Sequence, residues 1–143
     1  MSTLSPATIV QRQLDAYNAR DLEAWLATYH PDAEQFTVHG PLLARGREAI
    51  GSRMRVRFAE PDLQATLLSR IVLGQVVVDH ERVTRNFPEG KGSIEVLCVY
   101  EVAGDVIMKA SFAFGPPVLT EPPCRDDFSR GRSRGPSAET PCS

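Results

Sequence analysis

The chain has no apolar run near the roughly 18 residues that a membrane-spanning helix needs, and its first ten residues lack the positive charge and apolar stretch of a secretion signal. The expected location is therefore cytoplasmic, with no membrane partner. Cysteine is scarce: Cys98, Cys124 and Cys142 are odd in number and show no CxxC spacing, which excludes the usual zinc and paired-redox patterns and points to a reducing compartment. Charge of one sign is lacking as well. With 16 Lys and Arg against 18 Asp and Glu, and a formal charge of −2, there is no basic surplus to attract nucleic acid. Phosphate loops, GxGxxG, HExxH and EF-hand spacing are absent, and Gly90-Lys91-Gly92 reads as a flexible loop, so no cofactor is implied. The nearest approach to a metal pair, His30 and Asp32, lies beside a proline turn where such residues cap and solvate, and no metal is expected.

What is present is enough for one domain. The 143 residues are 42% apolar, which suffices for a core. Ser5 and Pro6 mark a helix start, because the hydroxyl can cap free amides and proline has no amide hydrogen to leave unpaired. Val10, Leu14 and Tyr17 recur at helical spacing from there to about Ala19. Asp21 caps a second helix in which Leu22, Trp25, Leu26 and Tyr29 share one side, and Pro31 ends it. Residues 34–38 suit a strand before the Gly40-Pro41 turn. A third helix, residues 46–59, sets Ile50, Met54 and Phe58 against an arginine-rich face.

Four strands are then expected, over residues 64–73, 76–84, 93–102 and 106–114, with two-residue hairpins at Gly74-Gln75 and Gly104-Asp105. Helices first and strands afterwards predict an α+β fold with an antiparallel sheet. The fourth of these five strands is apolar on both faces, with Ile94, Val96, Cys98, Tyr100 and Val102 on one and Leu97 and Val99 on the other. Three helices cover only one face, so the other is expected to meet a second subunit in a homodimer. The composition changes at Gly115, and six of the 11 prolines fall in the last 28 residues. Residues 1–115 are therefore read as the domain and residues 116–143 as a disordered Pro-rich tail. Arg125, Arg130, Arg132 and Arg134 in the tail are balanced by Glu121, Asp126, Asp127 and Glu139, as in a solvated linker.

Three local strings resemble the nuclear transport factor 2-like superfamily, in its SnoaL-like and ketosteroid isomerase-like branch. They are Ala16-Tyr17-Asn18-Ala19-Arg20-Asp21-Leu22, Tyr29-His30-Pro31-Asp32-Ala33 and Arg45-Gly46-Arg47-Glu48-Ala49-Ile50. The resemblance spans residues 9–115. It implies a cystatin-like cone, a curved antiparallel sheet with three N-terminal helices closing one face, and a small hydrophobic molecule entering the open end.

Laid on the ketosteroid isomerase pattern, Gln13 stands at the oxyanion tyrosine, Thr37 at the base and Cys98 at the second donor, so that catalytic set is missing. Met54 likewise stands where a supporting tyrosine would be. Alternation along the third strand is read with Val76, Val78 and His80 inward, and with Asp79 and Glu81 on the outer face towards solvent or the partner. His80 is then the candidate acid or base. The candidate ligand wall is Gln13, Tyr17, Trp25, Tyr29, Thr37, His39, Met54, Cys98, Tyr100 and Phe112, with Arg53 at the rim within reach of an acid group. Each has a plainer alternative: core packing for the aromatics, a buried inert thiol for Cys98, solvent exposure for His39. Three functions stay open. The protein is a pocket protein that binds or transforms a hydrophobic metabolite without cofactor, a lyase or isomerase working through His80, or a dimerisation module whose cone is filled by its own side chains.

Overall fold

The computed structural model describes residues 4–120, and the part of the proline-rich tail beyond Thr120 lies outside the described residues. Helix α1, Pro6–Ala19, begins where Ser5 accepts the Thr8 amide and ends on Arg20 in the left-handed region. Helix α2, Leu22–Ala27, is capped by Asp21, whose carboxylate accepts the Ala24 amide. It stops two residues short of Tyr29, which opens strand β1, Tyr29–Thr37, instead of closing the helix. Pro31 is accommodated inside that strand because the pairing is interrupted between Tyr29 and Glu34, so the missing amide hydrogen leaves no ladder bond unmade.

A short β2, Leu42–Arg45, hairpins back on β1, and α3, Gly46–Phe58, follows. Then come β3, Gln64–Leu73, β4, Val76–Phe87, β5, Gly90–Ala103, β6, Val106–Phe114, and β7, Val118–Leu119. The order across the sheet is β2-β1-β6-β5-β4-β3, and β7 pairs with the start of β5. The fold is α+β with a curved, unclosed sheet, as expected. One pairing departs from the antiparallel expectation: β1 and β6 run parallel, which makes the sheet mixed. The parallel pair arises because α3 carries the chain from β2 at one edge to β3 at the other, and the returning hairpins bring β6 against β1 from the far side.

The helices pack on the concave face. Ile9, Val10 and Leu14 of α1, Trp25 of α2 and Ile50 and Met54 of α3 meet Ala65, Val77, Val83, Val96, Tyr100 and Ile107 of the sheet in one core. Tyr17, Trp25 and Phe58 tie the helices together, with edge-on ring contacts of 5.3 and 5.7 Å centred on Phe58. No helix among the described residues is long and apolar enough to cross a membrane.

Candidate functional site

The register of the sheet decides which side chains share the concave face. Gln35, Ala110, Tyr100 and Val77 pair in one row across β1, β6, β5 and β4, and Phe112, Cys98 and Asp79 pair in the next. Phe114, Val96 and Glu81 form a third row. Strand β4 therefore turns Val77, Asp79, Glu81 and Val83 inward and Val78 and His80 outward, the reverse of the expected parity. Asp79 is 0% and Glu81 6% exposed, whereas the His80 side chain is 37% exposed and pairs with Glu95 at 2.7 Å. His80 thus reaches no part of the cone interior. The inverted parity follows from Val83 and Arg82: packing buries the valine, and the arginine must reach solvent.

Between the helices and these rows lies a cavity that opens to solvent at its mouth. Gln13, Tyr17, Trp25, Tyr29, Met54, Cys98, Tyr100 and Phe112, all expected on the ligand wall, line it together. Thr37 and His39 do not. His39 is exposed in the turn with φ of 54°, and the wall ends before Thr37. Gln35, Arg57, Glu81 and Arg85 join the wall, as does Arg53 from the rim. Gln35 has the inward parity that alternation gives it. Glu81 could have been found from Val77 and Val83, the apolar residues that bracket Asp79 and Glu81 at the same parity.

The polar groups on and behind this wall fall into three sets. In the first, Trp25 Nε1 donates to Gln13 Oε1 at 2.7 Å, and Gln13 Nε2 donates to the Tyr100 hydroxyl at 3.3 Å. This chain fixes the indole and satisfies the buried amide. In the second, Arg70 clasps Asp79 with two hydrogen bonds of 2.7 and 2.9 Å, and its remaining arm donates to Gln11. The hydrogen bonds to Asp79 raise the Arg70 guanidinium above its ordinary value.

Glu81 stands beside that pair. Burial first, and then the negative charge of Asp79, push its carboxyl up from 4.5 to about 7 against the opposing charge of Arg70, and a hydrogen bond with Asp79 adds to the rise. In the third set, Arg53 Nη1 donates to Gln35 Oε1 at 2.9 Å. The Gln35 amide is thereby oriented with its Nε2 away from the arginine.

Three buried side-chain atoms make no well-formed hydrogen bond among the described residues: the Tyr29 hydroxyl, Gln35 Nε2 and Glu81 Oε2, with the Gln35 amide close enough to the Tyr29 hydroxyl to favour its ionised form against the effect of burial. All three belong to residues of the cavity wall. Burial drives the Tyr29 and Tyr100 hydroxyls and the Cys98 thiol well above their ordinary values, and it lifts Tyr17 to about 12. These groups stay protonated at neutral pH. Cys98 is in consequence an unreactive thiol, and the tyrosines are donors. Among the described residues, no three His, Cys, Asp or Glu side chains cluster in a way that could hold a metal ion.

Residues 10–110 match the model of the SnoaL-like domain. The chain belongs to the SnoaL-like family. Solved structures with the same fold include an uncharacterised cystatin-fold protein of Novosphingobium aromaticivorans, 25% identical at a TM-score of 0.71, over 77% of this chain and 98% of that one. A hypothetical protein of Catenulispora acidiphila with a ketosteroid isomerase-like fold is 15% identical at 0.67, over 78% and 88%. A protein of Jannaschia sp. CCS1, provisionally named a SnoaL-like polyketide cyclase, is 20% identical at 0.66, over 76% and 84%. No curated protein matches. Within the SnoaL-like fold of this chain, the cavity lies on the helix-covered concave face, and the carboxyl on its wall is that of Glu81.

Proposed function

We propose that this SnoaL-like protein binds a small, largely apolar carbonyl compound and moves a proton at the carbon next to that carbonyl, with Glu81 as the base. One observation carries the reading: the buried polar atoms without a well-formed protein hydrogen bond, Tyr29 Oη, Gln35 Nε2 and Glu81 Oε2, all belong to one cavity, and the first two lie close together. Two of these groups are donors and the third is a carboxyl. The donors suit a carbonyl oxygen that gains negative charge as the proton leaves. A carboxyl with a value of about 7 is divided between acid and base at neutral pH, so it can accept the proton and return it elsewhere on the ligand. Isomerisation, aldol-type ring closure and β-elimination all begin with this step, and the step itself needs no cofactor.

The reaction can be followed as exchange of the α-protons of 2-tetralone for deuterium by NMR. Wild type should accelerate exchange over buffer, with a rate that rises as pH climbs through about 7 because the carboxylate is the active form. Glu81→Gln should lower the acceleration by about 100-fold, the lower range for a lost general base. Tyr29→Phe should lower it less. Exchange by wild type no faster than in buffer would overturn the proposal.

A further inference from the structure

The mouth of the cavity carries three arginines, and they are not equivalent. Arg85 is held by Glu60 through two short bonds, Nε to Oε1 at 2.8 Å and Nη2 to Oε2 at 2.9 Å. Arg57 lies 3.4 Å from the same carboxylate. Arg53 has no carboxylate among the described residues: its partners are the neutral Gln35 Oε1 and, at 3.7 Å, the Met54 sulfur. It is nevertheless half-buried on the cavity wall, where an unpaired cation is costly. A guanidinium has five N–H donors in a planar fork, and the Gln35 contact uses one nitrogen.

We propose that Arg53 receives a carboxylate of the ligand, so that the molecule taken by the cavity is an apolar carboxylic acid, ionised and oriented with its acid group at the mouth. This rests on the reading that the cavity binds a small molecule. A carboxylate matches the fork in shape, and a single negative charge matches the one arginine that Glu60 leaves unpaired. Arg53 also bonds Gln35, so seating the acid would fix the amide that faces the interior. Charge recognition at the mouth is thereby linked to the donor deeper in the pocket.

Trp25, the only tryptophan of the chain, lies on the cavity wall and reports occupancy by its fluorescence. The probes are 4-tert-butylcyclohexanecarboxylate and its uncharged carboxamide, both transparent at the wavelengths used, titrated at pH 8. Wild type should bind the acid about tenfold more tightly than the amide, the scale of one charge-assisted contact. Arg53→Met should lose that preference by weakening the acid alone. Arg53→Lys should keep part of it, because the charge remains and the fork is gone. Equal binding of both probes by wild type, or equal weakening of both by Arg53→Met, would overturn the charge preference while leaving the cavity a binding site. No response to either probe would overturn the binding reading and the acid preference together.

Discussion

Glu81 is the residue at which function and stability should pull in opposite directions. An unfolded chain releases the Glu81 proton near 4.5, whereas the folded protein holds it until about 7. Between those values the native state binds the extra proton, so stability falls as pH rises through this window. Above it, the ionised buried carboxyl costs roughly 3 kcal/mol. Glu81→Gln keeps the shape and removes the charge. Urea melts should therefore show the variant more stable than wild type at pH 8 and nearly equal to it near pH 4.5. A variant destabilised equally at both values would show that the carboxyl serves packing and not proton transfer.

Glu81 also marks where the sequence stopped being legible. Tyr17 and Trp25 follow helical spacing and reach the cavity, because a helix face is set by many residues at once, whereas Tyr29 reaches it from the start of β1. A strand has only two faces, and the run Val76-Val77-Val78 is apolar on both. The choice between His80 and its acidic neighbours then depended on Val83 and on the cross-strand hold of Arg70 on Asp79, a contact that alternation does not contain.

Among the elements, long periodic segments were readable and short ones were not. Helix α1, strand β3 and strand β6 have the expected bounds, while β2 and β7, of four and two residues, are too brief to show a period. Strand β7 lies past Gly115, so the sheet continues beyond the composition change that suggested the domain's end. Its placement depends on Gly92. A Cβ there would stand 2.4 Å from the Val118 carbonyl oxygen and 3.0 Å from Leu119 Cα, both backbone atoms that cannot swing aside. Gly92→Ala should therefore push β7 off β5. The Thr120 amide, which donates to the Lys91 carbonyl at 2.9 Å, would exchange with deuterium much faster, while the amides of central β5 keep their protection. Unchanged protection at Thr120 would mean that β7 re-seats without needing the glycine.

At the scale of the whole molecule, the parallel contact of β1 with β6 was beyond the sequence, since strand pattern reports faces and not neighbours. The apolar character of both faces of β5 was readable, and it raises the question of what the convex face meets. Ile71, Val78, Val99, Ser111 and Phe36 pair in a row across that face, with Leu97 beside it. Ile71 is 66% and Leu97 45% exposed, a large apolar area to leave in water. Charges of both signs flank the row: Arg82 and Glu95 on one side, Glu101 and Lys109 on the other. A surface with an apolar centre and balanced charges around it is complementary to a copy of itself turned by two-fold symmetry, whereas a face of single sign would repel its copy. The expected occupant is a second copy of this chain. Light scattering at micromolar concentration should give twice the 15.7 kDa chain mass for wild type. Leu97→Arg places like charges against each other across such an axis and should return the single-chain mass with the fold intact by circular dichroism. Wild type at the single-chain mass would leave the convex face as solvent-exposed sheet. The pocket, which opens on the opposite face, would then have to act without a partner behind it.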